Sequence, residues 1–574
     1  MAWAVLLSLM ILVAVLVSGR FSPAVAFVTL AAGYLLAGLV DTATLLQQYT
    51  NPALATLLLL LLVSQALERS PWLEWLSARL LRGSANGATT RLVGTTAVLS
   101  AFLNNTAVVA AFLGALSRQT RIAPSRLLLP LSYASILGGI TTLVGTSTHL
   151  VINSFVLEAT GLELSMFHFS LVGVPVALLC LVVVVWRARA LPHHSTESAK
   201  EQLSYFLAAD IQPDSPLVGR SIEANGLRQL DGLYLLEIER GGHLMSPVGP
   251  AEILEAGDTL VFTGDVQNVQ ALKRFAGLRL FGDYADNLLA SNLVEVVISH
   301  ESSLIHQTLQ DVDFRSMFDA GVVAIRRGSK RLEGQLGKIP LRAGDSLLLA
   351  AGPDFHQQHN VARHFHLLSG GTTRAPLTTW QSGLAVGGFA SAIGLASVGL
   401  VPLFHGLLVL LGVLLVSQAT SVAELRRRFP FELWLIIGSA LAIAQGLGNS
   451  GAATLLAQGM QQLFSPWGVY AALIGCYLLT VLLTETVTNN AAAALGFPVA
   501  WSTAQAFGVD PTAFIMVVAY GASACFLLPY GYQTHLMVYS PGRYRLKDFR
   551  QMGLPLHLTY SASVLGLTPW VFPF

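Results

Sequence analysis

The chain has 574 residues, of which 53% are hydrophobic and 11% are charged, and its formal net charge is +1. Soluble domains carry about 25% charged residues, so this composition indicates a polytopic membrane protein and argues against a soluble enzyme. The near-neutral charge also argues against a nucleic-acid-binding surface.

The first apolar block covers residues 1–190 and contains five predicted membrane crossings. Residues 2–18 lack a basic leading segment, so they predict a first transmembrane helix rather than a cleaved signal. The crossings are predicted at about 2–18, 24–40, 52–67, 127–156 and 170–187. The fourth crossing is broken by a run rich in Gly, Thr and Ser.

Residues 92–117, between the third and fourth crossings, predict a re-entrant hairpin. Arginines lie on both sides of this 26-residue segment, whereas two full crossings need roughly 40 residues. The segment would therefore enter and leave on the same side of the membrane, with Asn104, Asn105 and Thr106 near its tip. Backbone groups at such a tip must pair inside the protein or with a ligand.

The middle of the chain, about residues 191–376, reads as water-soluble and contains an internal repeat. The sequence LEAGDTLVF at 254–262 matches LRAGDSLLL at 341–349, a spacing of 87 residues. Two small α/β units are predicted, at 203–275 and 289–363. The repeated Ala-Gly-Asp turn resembles that of tandem TrkA-C-type domains, the regulatory modules of many ion transport proteins. Scaffolding and ligand regulation both remain open as roles for this pair.

The second apolar block, residues 377–574, repeats the organisation of the first. Its crossings are predicted at 380–400, 402–418, 431–447, 511–540 and 554–572, and the fourth is again broken. A second hairpin is predicted at about 470–503, with Thr488, Asn489 and Asn490 near its tip. Two matched sets of polar residues predict a pair of inverted repeats with one site at their interface, an arrangement typical of transporters.

The distribution of basic residues predicts the orientation of the chain in the membrane. Arg187 and Arg189 lead into the soluble region, and a second basic cluster, Arg543 to Arg550, precedes the last crossing. Because basic clusters favour the cytoplasmic side, we expect a multi-pass protein of the cell (inner) membrane with its soluble region in the cytoplasm.

The hairpin tips supply the candidate binding residues. Asn and Thr side chains donate to the oxygens of an anion or accept around a cation, and helix N-termini favour anions. The candidates for the anion are Asn105, Thr106, Asn489 and Asn490, with Asn104 and Thr488 shared with cations. The alternative interpretation is that these side chains only cap the hairpin turns.

With these motifs the chain resembles the divalent anion–sodium symporter family of the citrate-transporter-like superfamily. The family carries Ser-Asn-Thr motifs at two hairpin tips and Gly/Thr/Ser-rich breaks in two later helices. The resemblance implies a homodimer in membrane lipid that moves one small divalent anion with Na⁺, two ions per protomer, by an elevator motion, without an organic cofactor. The cation ligands that it implies are Asn104, Asn105, Gly145 and Thr148 for one site, and Thr488, Asn489, Ala524 and Thr534 for the other.

The chain departs from the family pattern at several positions. Asn104 and Asn490 replace the Ser and Thr of dicarboxylate members, which favours sulfate over C4-dicarboxylates. His149 and His535 replace an Asn in the two loops. These histidines either pack against the broken helices or make transport sensitive to pH. Glu485 is a candidate cation ligand or proton carrier, or else it bonds hairpin backbone.

Two other functions are compatible with the soluble repeat. One is a ligand-gated anion channel, and the other is a membrane sensor that retains a transporter-like core. A small regulatory ligand bound to the soluble pair is a candidate partner in each case. None of these readings predicts an enzyme.

Overall fold

A computed structural model describes the chain in two helical parts and two β-sheet domains. The residues it describes are all except 19–20, 71–78, 81–83, 118–121, 192–205, 229, 231–232, 242, 246–247, 265–271, 273, 282–292, 301, 313, 333–335, 352–354, 356–357, 359, 369–376 and 428. The predicted domain starts at 203 and 289 lie outside the described residues.

The first helical part follows the predicted crossings closely. Its helices are α1 (Ala2–Ser18), α2 (Pro23–Leu36), α3 (Thr42–Tyr49), α4 (Pro52–Glu68), α5 (Ala85–Ser100), α6 (Asn105–Ser117), α7 (Leu128–Gly139), α8 (Ser147–Thr160) and α9 (Ser170–Ala188). The pair α5 and α6 occupies the predicted hairpin, and α7 and α8 are the halves of the broken segment. Helix α3 was not predicted, although Asp41 caps it by accepting from the Thr44 N–H at 2.6 Å.

The second helical part repeats the same order of elements. Its helices are α12 (Thr379–Ser397), α13 (Leu403–Val416), α14 (Val422–Arg427), α15 (Phe431–Asn449), α16 (Ala452–Phe464), α17 (Gly468–Thr486), α18 (Asn489–Phe507), α19 (Thr512–Ala522), α20 (Gln533–Tyr539) and α21 (Leu546–Val571). The short helix α14 occupies the place of α3, and α16 lies between α15 and α17.

Each β-sheet domain is a five-stranded antiparallel sheet of the same topology. The strands are β1 (Phe206–Ile211), β2 (Leu233–Arg240), β3 (His243–Met245), β4 (Thr259–Gly264), β5 (Leu278–Phe281), β6 (Leu293–Ile298), β7 (Ala320–Arg327), β8 (Lys330–Leu332), β9 (Ser346–Ala351) and β10 (Phe365–Leu367). Two short helices, α10 (Phe314–Phe318) and α11 (Val361–His364), belong to the second domain. The sheet orders are β3-β2-β4-β1-β5 and β8-β7-β9-β6-β10, and β2 and β7 carry a register shift at the same place.

The Ala-Gly-Asp turn is held in both sheets by one buried carboxylate. Asp258 binds Arg240 through two hydrogen bonds of 2.8 Å, and Asp345 binds Arg327 through two of 2.7 Å. The hydrogen bonds that Arg327 donates to Asp345 raise the pKa of its guanidinium above the ordinary value. The repeat seen in the sequence therefore reflects a repeated ion pair that closes a turn.

The helices of the two halves pack together extensively. Helices α4, α12 and α13 pack on one another, α5 and α6 pack on α7, and α17 and α18 pack on α19. Helix α4 also packs on α6 and α8, so these groups are in contact. Within the described residues, four helical stretches are long and apolar enough to cross a membrane: Thr42–Leu67, Ser170–Ala188, Phe431–Asn449 and Ala452–Thr486. Many large apolar side chains on the helix exteriors are exposed, as lipid contact requires.

Candidate transport site

At the turn of each hairpin, polar side chains accept hydrogen bonds from backbone N–H groups in the first turns of helices α6 and α18. Asn104 Oδ1 accepts from the Thr106 N–H at 3.0 Å, and Thr488 Oγ1 accepts from the Ala491 N–H at 3.3 Å. Asn104 and Thr488 therefore do cap their turns. Asn489 also bonds locally, since its Oδ1 accepts from the Asn490 N–H at 3.0 Å. The capping interpretation describes these three residues but not the other members of the motifs.

Each broken helix brings a glycine against the neighbouring hairpin. A Cβ placed on Gly145 would lie 2.9 Å from the Ser100 carbonyl oxygen, and one on Gly531 would lie 2.6 Å from the Thr484 carbonyl oxygen. Ser100 and Thr484 occupy equivalent places in the two hairpins. Only glycine allows this close approach, so the two breaks meet the two hairpins in the same way.

Two equivalent hydrogen bonds cross between the halves of the chain. Thr106 of the first hairpin donates to Gln533 Oε1 at 3.1 Å, at the start of α20. Ser147, at the start of α8, donates to Asn490 Oδ1 of the second hairpin at 2.8 Å. Each hairpin therefore faces the broken helix of the other half. The structure brings Thr106 and Asn490 into one polar region, although they lie 384 residues apart.

Tyr532 joins the broken helix of the second half to the first motif. Its hydroxyl is 2.7 Å from the Asn105 amide and 3.4 Å from Thr146 Oγ1. The side chain is 5% exposed, so these contacts lie away from bulk water. Tyr532 was not among the residues predicted from the sequence.

The other side of the Asn105 amide faces a cluster of oxygens. It lies 2.9 Å from the Ser135 carbonyl oxygen, 3.2 Å from the Gly145 carbonyl oxygen and 2.6 Å from Ser100 Oγ. With nitrogen on this side, the amide donates to both carbonyls, and its oxygen accepts from the Tyr532 hydroxyl at 2.7 Å. This orientation gives both ends of the Asn105 amide a partner within the protein.

The predicted threonine ligands lie beside serines of the opposite broken helix. Thr148 Oγ1 is 3.1 Å from Ser523 Oγ, and Ser132 donates to Thr534 Oγ1 at 2.9 Å. Ala524 is fully buried directly after α19. Among the described residues, no group of three His, Cys, Asp or Glu side chains could hold a metal ion. Any cation here would therefore depend on Asn, Thr, Ser and backbone oxygens.

A small cavity of about 10 Å³, enough for about one water molecule, lies beside the first hairpin. Asn104, Gly145 and Ser147 line one side, and the leucines at 57, 60 and 61 of α4 line the other. The polar wall belongs to the hairpin and its broken helix, and the apolar wall belongs to α4.

Glu485 has a role that the sequence left open. Its Oε1 accepts from the Phe526 and Leu527 N–H groups at 3.0 and 2.9 Å, and its Oε2 accepts from the Leu528 N–H at 3.2 Å. The carboxylate thus satisfies the unwound backbone after α19, not the backbone of its own hairpin. In the first half the equivalent residue is Ala101, and the Thr142 hydroxyl donates to its carbonyl oxygen.

We expect Glu485→Ala to reduce transport severely, because three buried N–H donors of the second loop lose their acceptor. Glu485→Gln keeps one acceptor oxygen and is expected to retain partial transport. The measurement is uptake by the two variants at equal membrane expression. Full transport by Glu485→Ala would show that the loop does not depend on this carboxylate.

His149 and His535 are fully buried, and each bonds a carbonyl of its own loop. His149 Nδ1 is 2.9 Å from the Thr142 oxygen, and His535 Nε2 is 2.8 Å from the Cys525 oxygen. Since a carbonyl only accepts, these nitrogens carry the proton. His535 Nδ1 lies 2.7 Å from Ser132 Oγ, and His149 stacks on Phe169 with ring centroids 3.8 Å apart. These contacts favour the interpretation that the histidines pack against the broken helices. The alternative, that they make transport sensitive to pH, is left to the test below.

Replacing both histidines by Asn is therefore expected to leave the pH profile of uptake unchanged. A second proton on His149 would find no acceptor for its Nε2 among the described residues, so this ring is best accommodated as a neutral imidazole. The test compares uptake between pH 5 and 8, chosen because His ordinarily titrates there. A profile flattened by the double substitution would favour pH sensing instead.

Comparison with known proteins agrees with this arrangement. The sequence model of the citrate transporter family matches residues 9–520. The chain belongs to this family. Its members are transporters rather than enzymes, and the resemblance to divalent anion–sodium symporters is confirmed. With the apolar helices described above, membership identifies a multi-pass membrane protein.

Individual relatives cover the chain to different extents. A putative sulfur deprivation response regulator of Chlamydomonas reinhardtii is 31% identical over 550 residues, which are 91% of this chain and 93% of the relative. Sodium/sulfate cotransporter 1 of the same organism is 28% identical over 63% of this chain, but this match spans only 42% of the cotransporter. Human solute carrier family 13 member 4 is 28% identical over 25% of the chain and 22% of its own length.

Proposed function

We propose that the protein is a sodium-coupled secondary transporter of a small divalent anion, with sulfate favoured over C4-dicarboxylates. The observation that carries this proposal is the pair of cross-half bonds, Thr106 to Gln533 and Ser147 to Asn490. These bonds join partly buried side chains of the two halves, which supports a shared binding region. The sodium/sulfate cotransporters among the relatives support both the ion and the anion.

The anion would bind between the hairpin tips, where Asn105, Thr106, Asn489 and Asn490 supply donors together with backbone N–H groups. None of these side chains carries charge, so bound Na⁺ would balance the charge of the anion. One cation would bind beside the first hairpin, where its ligands would be Asn104, Asn105, Gly145 and Thr148. Because the second half repeats the same motif, a second cation would bind there, near Thr488, Asn489, Ala524 and Thr534.

Alternating access would follow an elevator motion. The hairpins and broken helices would move as one set against α4, α12 and α13, which pack on one another. The small cavity beside the first hairpin lies at the contact with α4. In this proposal the halves are inverted repeats, the hairpins re-enter the membrane, and two protomers form a dimer in the inner membrane. The two sheets are a cytoplasmic TrkA-C-type pair that adjusts transport in response to a small ligand.

A second candidate function is a membrane sensor with a transporter-like core. It is favoured by the relative described as a putative sulfur deprivation response regulator, which matches over nine-tenths of both chains. A ligand-gated anion channel is the remaining alternative, and its support is the soluble pair alone.

Flux into proteoliposomes separates these functions. The purified full chain is reconstituted, and uptake of sulfate, thiosulfate, phosphate, succinate and citrate is measured with and without an inward Na⁺ gradient. We expect sulfate to accumulate above equilibrium only with the gradient. Passive equilibration without Na⁺ would indicate a channel, and binding without flux would indicate a sensor. Uptake that acid stimulates without Na⁺ would replace sodium coupling by proton coupling.

A further inference from the structure

The second sheet domain contacts the helices of the candidate site directly, through two turns that the first domain also has. The β7–β8 turn contains Gly328 and the Ala-Gly-Asp turn contains Gly344, with φ angles of +59° and +81°. In the first domain the equivalent residues are Gly241 and Gly257, with φ angles of +59° and +85°. All four positions therefore have the same backbone requirement.

The surroundings of these turns differ between the domains. A Cβ on Gly241 or Gly257 would have no heavy atom within 4 Å. A Cβ on Gly328 would lie 2.6 Å from the Tyr539 ring, and one on Gly344 would lie 3.0 Å from the Leu536 carbonyl oxygen. The turns of the second domain are thus seated on α20, whereas those of the first domain have open space in the described structure.

Ser540 joins both turns to the end of α20. The Gly328 N–H donates to Ser540 Oγ at 3.0 Å, and the Ser540 hydroxyl donates to the Gly344 carbonyl oxygen. Ser540 is fully buried, so water does not compete for these bonds. One side chain therefore fixes two turns of the sheet domain against the helix.

The same domain reaches the first hairpin. A Cβ on Gly114 of α6 would lie 3.8 Å from the Leu368 carbonyl oxygen and 3.9 Å from that of Leu367. Helices α6 and α20 begin with the site residues Asn105, Thr106 and Gln533, and their other ends rest on the second domain. The seven residues of α20 span about 10 Å, so the two helices connect the domain to the site over a short distance.

We propose that the second sheet domain is a clamp on α6 and α20, whose partner surface is Leu536, Tyr539 and Ser540. The clamp keeps Thr106 and Gln533 within hydrogen-bond distance of each other and so sets the affinity of the site for the anion. The expected change in KM rests on the proposed transport function, whereas the expected change in hydrogen exchange does not. A ligand that moves the sheet domain would change the affinity through these contacts.

The test uses the full-length protein with Gly328→Ala, Gly344→Ala and Ser540→Ala, and with Gly241→Ala and Gly257→Ala as controls. The control substitutions at Gly241 and Gly257 introduce the same positive-φ strain, but their Cβ atoms would contact no neighbouring residue in the described structure. We expect the three clamp variants to speed backbone hydrogen exchange across 530–540 and to raise the apparent KM for the anion by about threefold to tenfold. Ser540→Ala adds no strain and serves if the glycine variants fold poorly.

Exchange across 530–540 that is unchanged, or that rises equally in the controls, would overturn the clamp. Faster exchange with an unchanged KM in an actively transporting protein would also overturn it, because the contact would then not reach the site. Exchange is measured without substrate, so it still reports on the clamp if the protein proves not to transport.

Discussion

Asn105→Ala and Asn489→Ala are each expected to reduce sodium-driven anion uptake by more than about a hundredfold. Asn105 joins the Tyr532 hydroxyl to the oxygens of Ser100, Ser135 and Gly145. Its removal leaves several buried polar groups without partners, and each costs about 1–3 kcal/mol, where 1.4 kcal/mol is tenfold. Asn489 holds the equivalent place in the second hairpin, at the start of α18, and is a proposed ligand of both the anion and Na⁺. Uptake at matched expression in proteoliposomes measures the loss.

The control is Asn449→Ala. Asn449 donates to the Leu39 carbonyl oxygen at 2.9 Å, so it tests the loss of a membrane asparagine away from the hairpins. We expect this variant to keep most of its uptake. Equal loss in all three variants would point to general destabilisation, and normal uptake by the two hairpin variants would contradict the site.

Tyr532→Phe is expected to reduce uptake by roughly tenfold or more, through a higher apparent KM for the anion. The ring and its packing are kept, so only the hydroxyl that contacts Asn105 and Thr146 is lost. Tyr470→Phe is the matched control, because its hydroxyl donates to the Leu565 oxygen at an exposed position. A Tyr532→Phe protein with wild-type KM would exclude this hydroxyl from the site.

Much of the helical framework could be predicted from the sequence. Hydrophobic segments of membrane length, interrupted by Gly/Thr/Ser loops, locate the helices of both halves and the breaks between α7 and α8 and between α19 and α20. The amphipathic helices α3 and α14 were missed because they are short. Their capping residues Asp41 and Ser421 were a signal that could have located them.

The contacts between the halves could not be predicted in the same way. The motifs pointed to Thr106 and Asn490, but their partners Gln533 and Ser147 are set by tertiary packing. Glu485 accepts from backbone N–H groups about 40 residues further along the chain, and every residue has such a donor. A sequence pattern indicates that a polar group inside the membrane needs a partner, but not which partner it finds.

The most direct test of the account is binding of labelled sulfate to the purified protein while Na⁺ is titrated against choline. One site shared by anion and cation predicts that sulfate affinity rises with Na⁺ and that Na⁺ affinity rises equally with sulfate. Asn105→Ala should lose both effects. Sulfate binding that is the same in Na⁺ and choline would contradict a sodium-coupled site between the hairpins.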